Sequence, residues 1–185
     1  MRLLIALLLL AFPAAAAAQG SPTFYGSAIN INAVAAATDV VCLEGGAGKV
    51  AKLAGFSISG TAATPSTLSI AVLRRSSLNT GGTSSLVAAA VGSSTHAAAL
   101  AKMRVWTANP ATMGTTDGTF RRIRWDVDSK VSVPTTIGLI AQMAANPYTT
   151  QPEARDVTQA LCMNFNATGP ATTMDITMVW TETNY

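Results

Sequence analysis

Met174-Asp175-Ile176-Thr177-Met178-Val179-Trp180-Thr181 sets Met174, Ile176, Met178 and Trp180 on one side of a two-residue alternation and Asp175, Thr177 and Thr181 on the other. Successive side chains point to opposite faces of a strand, so this stretch reads as a strand with one dry and one wet face. Thr67–Arg75 repeats the pattern, with Leu68, Ile70 and Val72 against Ser69 and Ala71. So does Thr119–Val127, with Ile123, Trp125 and Val127 against Arg122, Arg124 and Asp126.

Working outward from these three, further strands are predicted between clusters of Gly, Pro, Asn and Ser. In Phe24–Asn32, Ile29 and Ile31 share a face opposite Asn30 and Asn32. Asp39–Leu43 is short and apolar, and in Val50–Ser59 Leu53 falls out of phase with Phe56 and Ile58. Gly55 between them marks a bulge. Leu100–Thr107 turns Met103 and Val105 inward and Lys102 and Arg104 outward. Thr136–Met143 is continuously apolar, and Ala160–Asn166 precedes the final strand. Alanine-rich Ser84–Leu100, broken by Gly92-Ser93-Ser94, reads as a loop or short helix. Asn79-Thr80-Gly81-Gly82 is a turn whose residues tolerate positive φ. Many short strands and almost no amphipathic helix predict an all-β fold: an antiparallel β-sandwich or jelly roll of about eight or nine strands, in one domain over residues 19–185.

Residues 1–18 differ from the rest. Arg2 precedes ten apolar residues, Leu3–Phe12, then Pro13 and Ala14–Ala18. This apolar, helical leader has the layout of a secretory signal peptide, with cleavage expected after Ala18 to leave Gln19 first. The apolar run falls short of the ~20 residues that span a bilayer and Pro13 interrupts it, so no stable membrane span is expected. A retained apolar helix buried in an assembly is the remaining alternative.

Charged residues make up only 11% of the 185, with a formal net charge of +3. Ordinary domains carry about a quarter. Twelve basic against nine acidic residues is too even for a nucleic-acid binder of the usual kind. The 49% hydrophobic content excludes a disordered chain. A polar but weakly charged surface suits close protein–protein packing, because charges are depleted at interface cores.

Candidate chemistry is sparse. Gly45-Gly46-Ala47-Gly48-Lys49 looks like a phosphate loop, but Leu43 and Val50 occupy the places of its required Gly and Ser/Thr, and no helix follows. It reads as a hairpin turn. His96, the single histidine, lacks a nucleophile elbow and cannot build a multi-histidine metal site; it reads as a solvated loop residue, with an exported hydrolase as the sharper alternative. Asp126 and Asp128 share a face with Arg122 and Arg124, a pattern for ion pairing on an exposed strand or across a subunit contact. No cofactor or metal is read from the sequence. The candidate interaction surface is Arg121, Arg122 and Arg124 with Trp125, together with Arg74 and Arg75. Cys42 and Cys162 lie in separate predicted strands and read equally as one disulfide closing a long loop or as two small buried apolar residues.

Arg74-Arg75-Ser76-Ser77-Leu78-Asn79-Thr80-Gly81-Gly82-Thr83-Ser84, then Ala97–Ala101 leading to Val105-Trp106-Thr107-Ala108-Asn109-Pro110, resembles a family of small phage and prophage virion-associated proteins. Leu161–Asn166 followed by Met174–Glu182 is similar to that family's final two strands, so the resemblance spans residues 68–182. It implies a β-sandwich structural subunit on a virion, decorating the head or joining the tail. The weakly charged surface and uncovered strand edges independently lead to the expectation of a subunit that packs on a capsid or tail lattice and on copies of itself, as a trimer among the possible forms. The leader departs from this pattern, since such subunits assemble in the cytoplasm. The alternative is a secreted or periplasmic surface protein whose sandwich binds a glycan through exposed Trp106 or Trp125.

Overall fold

The computed structural model describes residues 21–32, 37–62, 64–127, 135–138, 151–165 and 172–184. Within them lie twelve strands: β1 (Thr23–Asn32), β2 (Thr38–Glu44), β3 (Lys49–Ala62), β4 (Ser66–Arg75), β5 (Thr83–Val87), β6 (Ala90–Val91), β7 (Lys102–Ala108), β8 (Thr116–Val127), β9 (Thr135–Gly138), β10 (Glu153–Arg155), β11 (Ala160–Phe165) and β12 (Thr172–Asn184). One 3-10 turn, Asp156–Thr158, separates β10 from β11. The first sheet runs β10-β3-β12-β1-β6, with β9 also paired to β3, and the second runs β5-β7-β2-β11-β4-β8. Every pairing is antiparallel. The all-β expectation holds, and two antiparallel sheets sharing one core are consistent with a β-sandwich.

The alternations that predicted the strands also build that core. Met174, Ile176, Met178 and Trp180 of β12 and Phe24, Leu53, Phe56 and Ile58 of β1 and β3 pack with Leu68, Ile70 and Val72 of β4, Met103 and Val105 of β7, and Leu161 and Met163 of β11. Burying each large apolar side chain contributes about 1.5–3 kcal/mol. The sheets meet closely at Gly26, where an added Cβ would stand 2.6 Å from the Met103 sulfur and 3.3 Å from the Trp180 ring.

Two bulges decide which apolar residues reach this core. Gly55 pairs with Val179 while Leu53 pairs with Trp180, so Ala54 is the extra residue and Leu53 is returned to the inner face beside Phe56 and Ile58. The bulge expected at Gly55 is thus found one residue away. In β1 the register shifts between Ala28 and Ile31, and Asn30 adopts φ 56°. The shared face expected for Ile29 and Ile31 is therefore split: Ile31 is buried and Ile29 is 71% exposed. An intervening bulge breaks the two-residue rule on which the expectation rested.

Three further differences are local. Ser84–Leu100, expected as loop or short helix, supplies β5 and β6. The Gly45–Lys49 turn does not close a hairpin, because β2 and β3 belong to different sheets. Gly45 and Gly46 answer to crowding: an added Cβ at Gly45 would meet the Asp156 carbonyl at 2.1 Å, and one at Gly46 the Leu100–Ala101 peptide at 2.6–2.7 Å, while Gly48 stands in open space with φ 65°. Of the expected strand Thr136–Met143, only the part within Thr135–Gly138 is described. The leader over residues 1–18 lies outside the described residues.

Phe56→Ala removes a fully enclosed ring from the middle of the core and is expected to cost about 3–5 kcal/mol of unfolding free energy. Val157→Ala, at a position 51% exposed, is expected to stay within about 0.5 kcal/mol of the parent. Denaturant titration of both variants checks the pair, and equal losses would contradict the placement of Phe56.

Candidate functional site

The buried polar groups of the second sheet converge on the face turned away from the core. Val41 and Leu43 of β2 point inward, so Cys42 between them points out. Cys42 stands directly opposite Cys162 of β11 in register, and the two form a disulfide. With Ala160 they make a small apolar cluster capped by Leu78. Of the two readings of the cysteines, the disulfide is the one the structure takes. Asp39 and both sulfurs lie close enough to suggest a metal site, but the bonded cysteines leave no thiolate there.

Asp39, 0% exposed, is the hub of this face. Its Oδ2 accepts Arg75 Nε at 2.9 Å and Asn79 Nδ2 at 2.9 Å, while its Oδ1 accepts Arg75 Nη2 at 2.8 Å and Asn164 Nδ2 at 2.7 Å. Arg75 Nη1 donates to the Gly114 carbonyl at 3.1 Å and to the Thr116 hydroxyl. The fork therefore grips the carboxylate with two hydrogen bonds and still reaches the loop beyond. Asn79 completes the clamp, donating to Asp39 and toward the Cys42 sulfur and accepting the Gly114 N–H at 2.7 Å.

This network fastens two loops across the disulfide: residues 76–82, between β4 and β5, and residues 109–115, between β7 and β8. Thr80 and Thr112 exchange backbone hydrogen bonds of 2.9 and 3.1 Å, and Ser76 N–H donates to the Thr115 carbonyl at 2.9 Å. Gly81 and Gly82 hold φ of 67° and 71°, as the Asn-Thr-Gly-Gly signal predicted. Beside them Glu44 accepts Arg104 Nε at 2.5 Å and Nη2 at 3.1 Å, and Arg104 Nη1 donates to Ser84 at 3.0 Å. The hydrogen bond to Glu44 raises the Arg104 pKa above its usual value, burial lowers it, and the Glu44 charge raises it further. A raised folded value means that the stability tied to the Arg104 charge is present at neutral pH and is lost as pH rises through that strongly alkaline value.

The sequence-predicted interaction residues do not form one surface. Arg75 is 5% exposed and belongs to the Asp39 network, which removes it from the expected surface. Burial there follows from its outward position under the two crossing loops. Arg74 pairs with Asp117 at 2.7 Å and lies over the Phe120 ring. On β8, Trp125 is 4% exposed and faces the core, a correction that follows from its own alternation with Arg124. Arg121 pairs across from core-facing Val72 and is half-buried, so it too parts from Arg122 and Arg124, which stand exposed on the opposite face. Trp106 is 5% exposed and Trp180 fully buried. All three tryptophans are thus withdrawn from solvent, and the stacking platform expected for a glycan at Trp106 or Trp125 is not formed.

His96 borders a cavity of about 400 Å³ with Lys49, Leu100 and Glu182. The Glu182 carboxylate is already bound, to the N–H groups of Leu100 (3.1 Å) and Ala101 (2.9 Å) and to the Trp180 indole (3.2 Å). Lys49 donates to Asn184 at 2.6 Å. Ser93 and Thr95 hydroxyls bind each other at 2.9 Å rather than the imidazole. Among the described residues no hydroxyl–imidazole–carboxylate chain, the arrangement of a serine–histidine hydrolase, is formed here. A smaller cavity of about 240 Å³ lies between β1, β5 and β7.

Sequence reasoning missed the Asp39 hub. Its signals were present: a carboxylate opening an apolar strand at Asp39-Val40-Val41, and Asn164 within apolar Leu161–Phe165. A buried polar group must find partners, but which partners depended on register. No protein family, curated protein or solved structure matches the chain.

Asp39→Asn leaves the Arg75 guanidinium buried without a counter-charge and is expected to cost about 3–5 kcal/mol, read from denaturant titration. A loss below about 1 kcal/mol would show that the hub is not a stability determinant. The paired substitution Cys42→Ser with Cys162→Ser opens a loop of 120 residues and is expected to cost about 2–5 kcal/mol. Dithiothreitol should bring the parent protein down toward the same midpoint while leaving the variant unmoved.

Proposed function

We propose that this chain is a structural β-sandwich subunit that works outside the reducing cytoplasm, on an exported bacterial surface, and associates with copies of itself. The observation that carries this reading is the Cys42–Cys162 disulfide, closed across neighbouring strands and roofed by two hydrogen-bonded loops. Such bonds persist in oxidising compartments and are rare in the cytosol. The signal-peptide layout of Arg2 through Ala18 supports export. The commitment of Asp39, Glu44 and Glu182 to structural hydrogen bonds supports a packing role over a catalytic one.

A second reading, favoured by the turns and terminal strands of residues 68–182, is a subunit on the exterior of a tailed-phage virion, with the sandwich arranged as a jelly roll and seated on a head or tail lattice. A virion surface is also oxidising once released, so the disulfide accommodates it.

Intact-mass measurement of the protein from its natural source separates the two. A mature chain starting at Gln19 and lacking two thiol hydrogens is expected for the exported subunit. A chain retaining the leader and co-sedimenting with virions would replace that reading with the second, and free thiols at both cysteines would contradict both.

A further inference from the structure

β8 is the longest strand at a sheet edge, and among the described residues it pairs only with β4. A strand edge presents unpaired N–H and C=O groups to any chain that can match them. What matches this edge is written in its outward side chains. Arg122 and Arg124 are exposed and make no ion pair among the described residues. Asp126 is exposed on the same face, with one carboxylate oxygen accepting the Thr67 hydroxyl at 2.5 Å.

From this we propose that β8 pairs antiparallel with β8 of a second copy about a two-fold axis at Trp125, joining the second sheets of two protomers. The proposal rests on the self-association in the reading above and names the surface responsible. A two-fold axis perpendicular to the sheet keeps outer faces together, so residues brought opposite one another share a face and one residue of the strand sits on the axis. Centred on Trp125, Arg124 of each copy lies opposite Asp126 of the other, giving two cross-strand ion pairs, while Ile123 meets Val127 on the inner face. Centred on Arg122, Arg124 or Asp126, a like charge meets itself at the axis. Centred on Ile123, Arg122 meets Arg124. Like charges directly opposite are unfavourable, so among registers centred from Arg122 to Asp126 the charge pattern selects the one at Trp125. The five residue pairs from Ile123 to Val127 make a small contact, of the size of a weak, reversible association or of one contact in a multivalent array.

The test uses sedimentation velocity of the full chain over a concentration series. The parent protein is expected to dimerise reversibly, and less so at high salt. Arg124→Asp places carboxylates opposite each other at both pairs, and Asp126→Arg does the same with guanidinium groups. Each alone is expected to weaken the dimer at least about tenfold. Mixed one to one, the two variants regain a dimer containing both, because the new carboxylate at position 124 faces the new guanidinium at position 126. That recovery also shows both variants folded. Arg124→Gln, which removes a charge without reversing it, weakens the dimer by a smaller factor. A parent that dimerises while both charge reversals dimerise equally well overturns this interface and leaves self-association standing through another surface. Charge-reversed variants that melt like the parent yet fail to recover on mixing overturn the register. A parent that stays monomeric throughout overturns the interface together with the self-association it rests on.

Discussion

Burying Asp39 would be prohibitive for an isolated carboxylate, because water solvates the charge far better than an apolar interior does. Here four donor hydrogen bonds from three side chains replace that water, two of them from the planar fork of Arg75. The donors come from β4, from the loop after it and from β11, so the charge can be buried only when these segments stand in one arrangement. The remaining Arg75 nitrogen and the Asn79 amide oxygen then hold the loop before β8. One carboxylate thereby ties local register to tertiary position. The disulfide beneath the same loops acts differently, since it restrains the unfolded chain across 120 residues and is covered, rather than created, by the clamp.

The two faces of the second sheet thus follow different physics. Its inner face is held by area: Ile70, Val72, Leu161 and Met163 interdigitate with the other sheet, and no single contact dominates. Its outer face is held by a few directional bonds whose value depends on every partner being present. A volume change inside is shared among neighbours. A lost donor outside leaves a charge stranded, which explains why one atom can matter more there than a methylene does within.

Much of the inner face was legible in the sequence, because alternation is a local property. Met174 through Trp180, Leu68 through Val72 and Ile123 through Val127 reached the core as their spacing required. Ile29 did not, since the bulge at β1 is set by pairing with β12, and no single strand carries that information. The outer face was largely illegible for the same reason. Cys42 faces Cys162 only through a register between strands 120 residues apart, and Asp39 finds Arg75 only once that register exists. The grouping of Trp125 with the arginines failed more simply: adjacency along a strand separates side chains onto opposite faces, as the alternation of Arg124, Trp125 and Asp126 itself required.

The low charge content takes on a different meaning once its distribution is known. Asp39, Glu44, Asp117 and Glu153 are each paired with an arginine, and Glu182 is spent on backbone amides. Arg122 and Arg124 are left as exposed cations on a strand with one open edge among the described residues, with Asp126 alternating after them. A sheet edge with uniform charge repels every copy of itself, and an uncharged edge accepts many registers. An edge whose charge reverses sign partway along accepts few. Scarcity of charge is what gives this short pattern its weight, because few charges on the strand dilute the alternation of Arg122, Arg124 and Asp126.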